Sequence, residues 1–436
     1  MKAEIIAVGS ELLTPDRADT NSLFLTERLN RLGIEVTRKS IVGDNLGSIQ
    51  DTFRAALERV ELVVASGGLG PTEDDLTRDA VAELLRLRLV RNEGVIRAIQ
   101  ERFQSFGRSM AENNARQAMV PEGATILENK RGTAPGLWIE SKQSIIVLLP
   151  GPPRELKAMF QSEVEPRLAP RAPASRLHHH ELRVAGLPES DLDQRIAPIY
   201  KTYADVETTL LASPGEIEVH FRIWSADGAE AERRLDELER HVALAIGEFI
   251  ISTDGETMEQ VVGQLLTANH ATIATAESCT AGLVAERLTR VAGSSAYFLG
   301  GVVCYSNEMK TAFAGVPAAL IEAHGAVSAE VARSLAEGIR RRTGAALGIG
   351  VTGVAGPSGG TPAKPIGTVH IALAAAGGTI ERGVVFPGDR ERIRWQAAQA
   401  ALDMVRRHFI GASALGTSGT RGGAARTPGG KTSPKA

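Results

Sequence analysis

Short apolar runs alternate with amphipathic helical periodicities, and this alternation confines the chain to α/β architecture more firmly than any other feature. The segments 4–8, 61–65 and 144–149 are almost wholly apolar, as strands covered on both faces of a sheet must be. Between them, 21–32 and 75–87 carry apolar residues at helical spacing. The pattern predicts βαβ units around a mainly parallel sheet. It fills residues 1–170, halts at the Pro-rich stretch 166–173, which reads as a linker, and resumes over 256–410. There, strands are expected near 272–275, 300–305, 346–351 and 368–373. The intervening 171–255 holds one alternating strand, 216–223, and a charged helix, 229–246, so a small α+β module is expected. Residues 411–436 are rich in Gly, Ser, Thr and Pro with basic residues and no acids. Such a tail buries too little apolar surface to offset ordering entropy and is expected to be disordered.

Composition removes whole classes of function. The 436 residues suffice for two to four domains with cores of their own. Lys and Arg number 49 against 52 Asp and Glu, a net charge of −3, which does not suit a chain that coats nucleic acid. The two cysteines, Cys279 and Cys304, cannot form a disulfide scaffold or a four-cysteine zinc site. No stretch approaches the ~20 apolar residues that span a bilayer, and the first apolar run is too short for a signal-peptide core. A cytoplasmic protein without a membrane partner is expected.

The first chemical constellation follows the strand at 61–65. Ser66-Gly67-Gly68-Leu69-Gly70-Pro71-Thr72-Glu73-Asp74-Asp75 turns sharply before a helix, and glycines there let the backbone approach a ligand closely. Amides of such a turn suit a phosphate, but Asp74 and Asp75 would repel one unless a cation intervenes. Phosphate and hard oxygen ligands together point to Mg²⁺ or a similar divalent ion. In the competing reading, Thr72 or Asp74 simply caps the helix. Gly9-Ser10-Glu11, Asp19-Thr20-Asn21 and Pro150-Gly151-Pro152-Pro153 also follow predicted strands, at the carboxyl ends where open α/β sheets bind ligands.

With these motifs, 1–170 resembles the molybdopterin-binding, MoaB/MogA-like fold, an α/β sandwich. More closely, it resembles the N-terminal domain of the competence/damage-inducible CinA family, whose signature reads Gly-Gly-Leu-Gly-Pro-Thr-x-Asp-Asp. The resemblance implies metal-dependent ADP-ribose pyrophosphatase activity. Gly67, Gly68, Gly70, Thr72 and Gly151 would contact phosphate, Asp74 and Asp75 would hold or orient the metal, and Glu11 and Asn21 would assist. Molybdopterin binding is the rival for this domain.

The second constellation is Thr275-Ala-Glu-Ser278-Cys279-Thr280-Ala281-Gly282, between a strand and a helix expected to begin near Ala281. A serine there projects beside free helix N-terminal amides that can stabilise an oxyanion. It needs a base, and neither His270 nor His324 has an evident acidic orienter. Tyr305 and Lys310 lie 27 and 32 residues after Ser278, and a desolvated lysine, directly or through the tyrosine, can take the proton. In the bland reading Ser278 is an N-cap and Lys310 a solvated charge. Cys279 is a competing nucleophile without a histidine partner.

Together with Gly353-Val-Ala355-Gly356-Pro-Ser-Gly-Gly360-Thr361, these residues resemble the CinA C-terminal domain, a nicotinamide-nucleotide amidase. The resemblance implies Ser278 as nucleophile, completed by Tyr305 and Lys310, with no metal required. Cys279, Thr280, Gly353, Ala355, Gly356, Gly360 and Thr361 would line the oxyanion and substrate site. Nicotinamide mononucleotide and ADP-ribose are then the expected substrates, and a homodimer the expected assembly. One departure is Ala281, where the family has Gly; a φ > 0 there would make alanine costly. The middle module resembles the family's KH-like insert but lacks a Gly-x-x-Gly clamp, so RNA binding is not supported. A DNA-uptake or recombination role, suggested by the family's name, has thin support at 4% aromatic residues. His178-His179-His180 falls on alternating faces of a predicted strand, which favours ordinary strand residues over a metal tract.

Overall fold

A computed structural model describes residues 1–105, 107–141 and 144–411. The expected tail, from 412 onward, lies outside them. The chain divides into two compact units, Met1–His178 with Ile223–Arg234, and His179–Arg222 with Leu235 onward.

In the first unit, β1 (Lys2–Val8), β2 (Glu35–Val42), β3 (Leu62–Ser66) and β8 (Ile145–Leu149) are the parallel part of a six-stranded sheet. Antiparallel β7 (Gly136–Glu140) and β6 (Thr125–Leu127) complete the order β2-β1-β3-β8-β7-β6, and β4 (Leu89–Arg91) pairs with β5 (Met119–Pro121) apart from it. The apolar runs explain the layers. Ile5, Val64 and Val147 are in register and face Leu25 and Leu29 of helix Thr20–Arg31. Their neighbours Ile6, Ala65 and Leu148 face the opposite core, which includes Ile49 and Phe53 of helix Leu46–Leu57. Strand residues alternate faces, so a sheet covered on both sides needs apolar residues at every position. The helix expected over 75–87 is shorter, Thr77–Leu84. The expected Pro-rich linker is instead helical through Arg171, the end of a run that starts at Pro153 and changes to π geometry over Phe160–Val164, just before Pro166.

The middle module is the sheet β10-β11-β9-β12, formed by β9 (Arg176–Val184), β10 (Glu207–Ser213), β11 (Glu216–Ser225) and β12 (Ile250–Ser252). The charged helix spans Gly228–Ile246.

The C-terminal sheet has the order β14-β13-β15-β16-β17. Its strands are β13 (Ile273–Glu277), β14 (Phe298–Val303), β15 (Leu347–Gly353), β16 (Thr368–Ala375) and β17 (Gly378–Val385). The first three are parallel and the last two antiparallel. Gly348 and Gly350 make β15 smooth on one face: a Cβ at either would lie 2.2–2.3 Å from a carbonyl oxygen of helix Ala329–Thr343. Helices Met258–Ala268 and Arg390–Phe409 cover the other face through Val262, Leu266, Ile393 and Ala397. No helix among the described residues is long and apolar enough to cross a membrane.

Candidate functional site

Two sites form where parallel strands end. The first is a cleft of about 650 Å³ at the carboxyl ends of β1, β3 and β8. It gathers every N-terminal residue singled out from the sequence: Glu11, Asn21, Gly67, Gly68, Gly70, Thr72, Asp74, Asp75 and Gly151. Gly67 has φ 98° and Gly68 φ 66°, and a Cβ on Gly67 would sit 2.1 Å from the Val8 carbonyl oxygen. The turn therefore closes onto the end of β1 only with glycine. Neither Thr72 nor Asp74 caps the following helix, which begins at Thr77 with Leu76 as a cap lacking a side-chain hydrogen bond; the capping reading fails.

The acids of this turn differ in commitment. The Thr72 amide donates to Asp75 Oδ2 at 2.8 Å, and the Thr72 hydroxyl donates to the same oxygen. Asp75 thus braces the turn with one of its two oxygens. Asp74 is exposed, and hydrogen bonds from Thr72 and its own backbone hold its carboxyl below the usual range. Arg116 locks the loop from outside, donating to the Thr72 carbonyl and pairing with Glu73.

The donor set suits a hard cation that arrives with a phosphate. Asn21 Nδ2 donates to the Gly151 carbonyl at 2.8 Å, while Asn21 Oδ1 and Gln117 Oε1 are buried and have no hydrogen-bond partner among the described residues. Both residues line the cleft, and a buried unpaired acceptor calls for a cation or a ligand hydroxyl. Among the described residues, these carboxylates do not converge into a three-ligand cluster. A Mg²⁺ ion held here would take one or two of them and leave the rest of its shell to water and substrate phosphate.

The second site is the turn after β13. Ser278 is 8% exposed, its amide donates to the Val351 carbonyl at 2.9 Å, and its hydroxyl makes no hydrogen bond among the described residues. The expected free helix amides are not free. The helix spans Leu283–Thr289, and the Glu277 carboxylate accepts from the amides of Val284 at 3.1 Å and Ala285 at 2.9 Å. A buried carboxylate at the preceding strand end satisfies them, as an N-terminal anion should. Ala281 has φ 51°, the left-handed conformation flagged as costly for a side chain.

Lys310 is 2% exposed and lies in helix Asn307–Ala314, with Nζ donating to the Tyr305 carbonyl at 3.3 Å. Burial lowers its proton affinity, opposed by Cys304, Cys279 and Glu308. Burial also pushes the Cys279 thiol up to about 12, so it stays protonated, against a nucleophilic role. The Tyr305 side chain is 57% exposed, and its hydroxyl accepts from Arg390 Nη2 at 2.8 Å. Lys310 is therefore hydrogen-bonded to the main chain of Tyr305, not to its phenol.

Three family descriptions match in succession: "Probable molybdopterin binding domain" over 4–170, "Damage-inducible protein CinA KH domain" over 179–252, and "CinA C-terminal domain" over 255–409. A CinA-like protein of Koribacter versatilis is 51% identical over 416 residues, covering 94% of this chain and all of the relative. The chain belongs to the CinA family. A CinA-like protein of Solibacter usitatus is 48% identical, covering 94% of this chain and 99% of its own. A crystal structure of CinA from Thermoplasma acidophilum, 34% identical, covers 38% of this chain and 96% of its own, with a TM-score of 0.36.

Within this CinA-family chain, two arginines join the serine site without having been legible. Arg390 Nη1 donates to the Gly356 carbonyl at 2.9 Å, linking Tyr305 to the loop that carries Gly353, Ala355, Gly356, Gly360 and Thr361. In that loop Gly353 closes β15, Ala355 is buried, and Thr361 exchanges backbone hydrogen bonds with Lys364. Arg394 Nη2 donates to the Thr280 carbonyl at 2.9 Å, and its Nε is buried with no partner among the described residues. Their four-residue spacing on one helix face is a weak signal that every amphipathic helix carries.

Proposed function

We propose that the C-terminal domain hydrolyses the carboxamide of nicotinamide mononucleotide, giving nicotinic acid mononucleotide and ammonia. The observation that carries this reading is Lys310, a buried amine whose proton affinity is lowered by burial and which interacts electrostatically with Cys279, the neighbour of Ser278. Ser278 Oγ attacks the amide carbon while Lys310 Nζ takes the hydroxyl proton. The tetrahedral intermediate collapses as Lys310 returns that proton to the departing nitrogen, leaving an ester on Ser278 and free ammonia. Water, deprotonated by Lys310, then cleaves the ester and regenerates the serine. The oxyanion falls to the amides of the Cys279-Thr280 turn, because Glu277 takes those of Val284 and Ala285. Arg390 and Arg394 supply the positive charge for the substrate phosphate. Ammonia and nicotinic acid mononucleotide released with a chelator present test the reading; retained turnover in Ser278→Ala removes the nucleophile assignment.

The acceptor-rich cleft favours a second activity in the N-terminal domain, metal-dependent cleavage of ADP-ribose. Asp74 and Glu11, with the uncommitted oxygen of Asp75, would hold a divalent ion, which would neutralise the pyrophosphate and act as a Lewis acid. Asn21 and Gln117 present acceptors to ribose hydroxyls, and the Gly67-Gly68 turn admits the phosphate to the backbone. Pterin binding, the rival, predicts occupancy without turnover. AMP formed from ADP-ribose with Mg²⁺ decides between them.

A further inference from the structure

The His178-His179-His180 run is split by the strand as its pattern required, yet the split delivers one imidazole to a cluster. His178 and His180 pair with Glu232 and Glu239 of helix Gly228–Ile246. His179 lies on the other face of β9, where His179 Nε2 is 2.8 Å from His220 Nδ1 of β11, with ring planes 15° from parallel and centroids 5.1 Å apart. Glu181, two residues along β9 and hence on the same face, completes the group, and the three ligand atoms lie within 4.8 Å of one another.

We propose that His179, Glu181 and His220 form a binding site for a Zn²⁺-class divalent ion on the middle module, separate from the oxygen-lined cleft. Two imidazole nitrogens and a carboxylate are a donor set for zinc and its d-block neighbours rather than for Mg²⁺. The outer partners are already set. His220 Nε2 lies 3.3 Å from Glu218 Oε2 and, facing a carboxylate, must donate. In the neutral imidazole this turns the Nδ1 lone pair toward His179, the carboxylate–histidine arrangement that orients metal ligands. Without an ion, the His179 Nε2–H donates to that lone pair. With one, the His179 proton moves to Nδ1 on the exposed side of the ring, and both inward nitrogens become ligands with no net proton released.

The change required is small. Tetrahedral zinc with bonds of ~2.0–2.2 Å sets ligand atoms roughly 3.4 Å apart, so the rings separate slightly and the carboxylate closes in. Arg183 does not prevent this. It touches Glu181 Oε1 at 2.9 Å, but it also holds Glu216 at 2.7 Å, Glu218 at 3.1 Å and the Gly255 carbonyl at 3.0 Å. His220 is buried whereas His179 is exposed, giving one ligand held in the fold and one open to solvent, from which a water would supply the fourth ligand.

The test is Zn²⁺ titration of the untagged full chain against a chromophoric chelator, with millimolar Mg²⁺ occupying oxygen-ligand sites, and Co²⁺ absorption as a reporter of nitrogen ligation. Wild-type protein should take one equivalent and show tetrahedral Co²⁺ bands. His179→Ala should weaken binding at least tenfold and abolish the bands. Glu181→Gln, which keeps the side-chain shape, is the second variant should His179→Ala fail to fold by circular dichroism. No Zn²⁺ uptake by the wild type, or unchanged stoichiometry and affinity in the folded variant, overturns the site. The result is independent of either proposed activity.

Discussion

The cleft of the N-terminal domain and the serine turn of the C-terminal domain are built on the same plan and solve opposite problems. Each lies where central parallel strands end, and each is reached by a turn containing positive-φ residues. The cleft presents carboxylates and unpartnered acceptors, so it can hold a pyrophosphate only with a cation brought from outside. The serine turn has a buried amine, Lys310, the base of the proposed reaction, and its nearest carboxylate, Glu277, is consumed in capping a helix. Strand ends therefore specify where chemistry occurs in such sheets, while the side chains delivered there specify whether it needs a metal.

The largest effect that could break this comparison is a double dissociation. Ser278→Ala should reduce deamidation by at least ~10³-fold and leave ADP-ribose cleavage untouched, whereas chelation should do the reverse. Parallel assays of ammonia and AMP on one preparation read both. Loss of both activities on chelation would show that the serine site also depends on a metal.

Lys310→Met comes next, with deamidation falling about 10²–10⁴-fold as the folded chain gains stability near neutral pH. The sign follows from its lowered proton affinity. Between its folded pKa and the ordinary lysine value of 10.5, the unfolded chain binds a proton that the folded chain lacks, so wild-type stability rises with pH across that window. Below it the folded chain carries a buried ammonium and the full penalty. The advantage of Met should thus be greatest at low pH and shrink toward pH 10.5, as urea denaturation at several pH values would show. Wild-type kcat/KM should rise through the same folded pKa, because the neutral amine is the base.

In the cleft, the two neighbouring aspartates should separate. Asp74→Asn should raise the Mg²⁺ requirement of ADP-ribose cleavage roughly ten- to hundredfold and lower the melting temperature less than Asp75→Asn does, since Asp74 is exposed. Asp75→Asn weakens the brace on Thr72 and should cost about 1 kcal/mol of stability. Calorimetry alongside a Mg²⁺ titration distinguishes them; equal effects in both assays would dissolve the distinction between metal-facing and turn-bracing acids.

What was legible follows the same division. Buried central strands announce themselves, and β1, β3, β8, β13 and β15 lie within two residues of the runs that predicted them. β17 was silent because Gly378–Val385 is only partly covered and interleaves Thr379, Glu381 and Arg382 with its apolar residues. Glycine turns and the serine motif are local in sequence, so their placement could be read. Arg390, Arg394 and His220 could not be, because each reaches its partner through the fold: Arg390 meets Tyr305 across 85 positions, and His220 meets His179 across 41. The occupied helix amides were hidden for a related reason, since Glu277 reads as one more strand residue until the helix start is seen to fall at Leu283.

The smallest predicted effect bears most directly on how the two turns differ. The cleft uses glycine at its left-handed positions, φ 98° and 66°, and the clash of a Cβ on Gly67 with Val8 explains why. The serine turn instead places Ala281 at φ 51°, beside Gly282 at φ 90°. A left-handed L-residue costs roughly 1–2 kcal/mol, and replacing it by glycine returns roughly 0.5–1 kcal/mol of that to the unfolded chain's entropy. Ala281→Gly should therefore stabilise the C-terminal domain by about 0.5–1 kcal/mol, a rise of roughly 1–4 °C in Tm. If the strain is merely tolerated, deamidation should stay within about twofold of wild type, because the Ser278 and Lys310 contacts are unchanged. A clear fall in kcat with unchanged KM would mean that the Cβ at 281 helps to set the turn that presents Ser278, and that the alanine is a working part of this site.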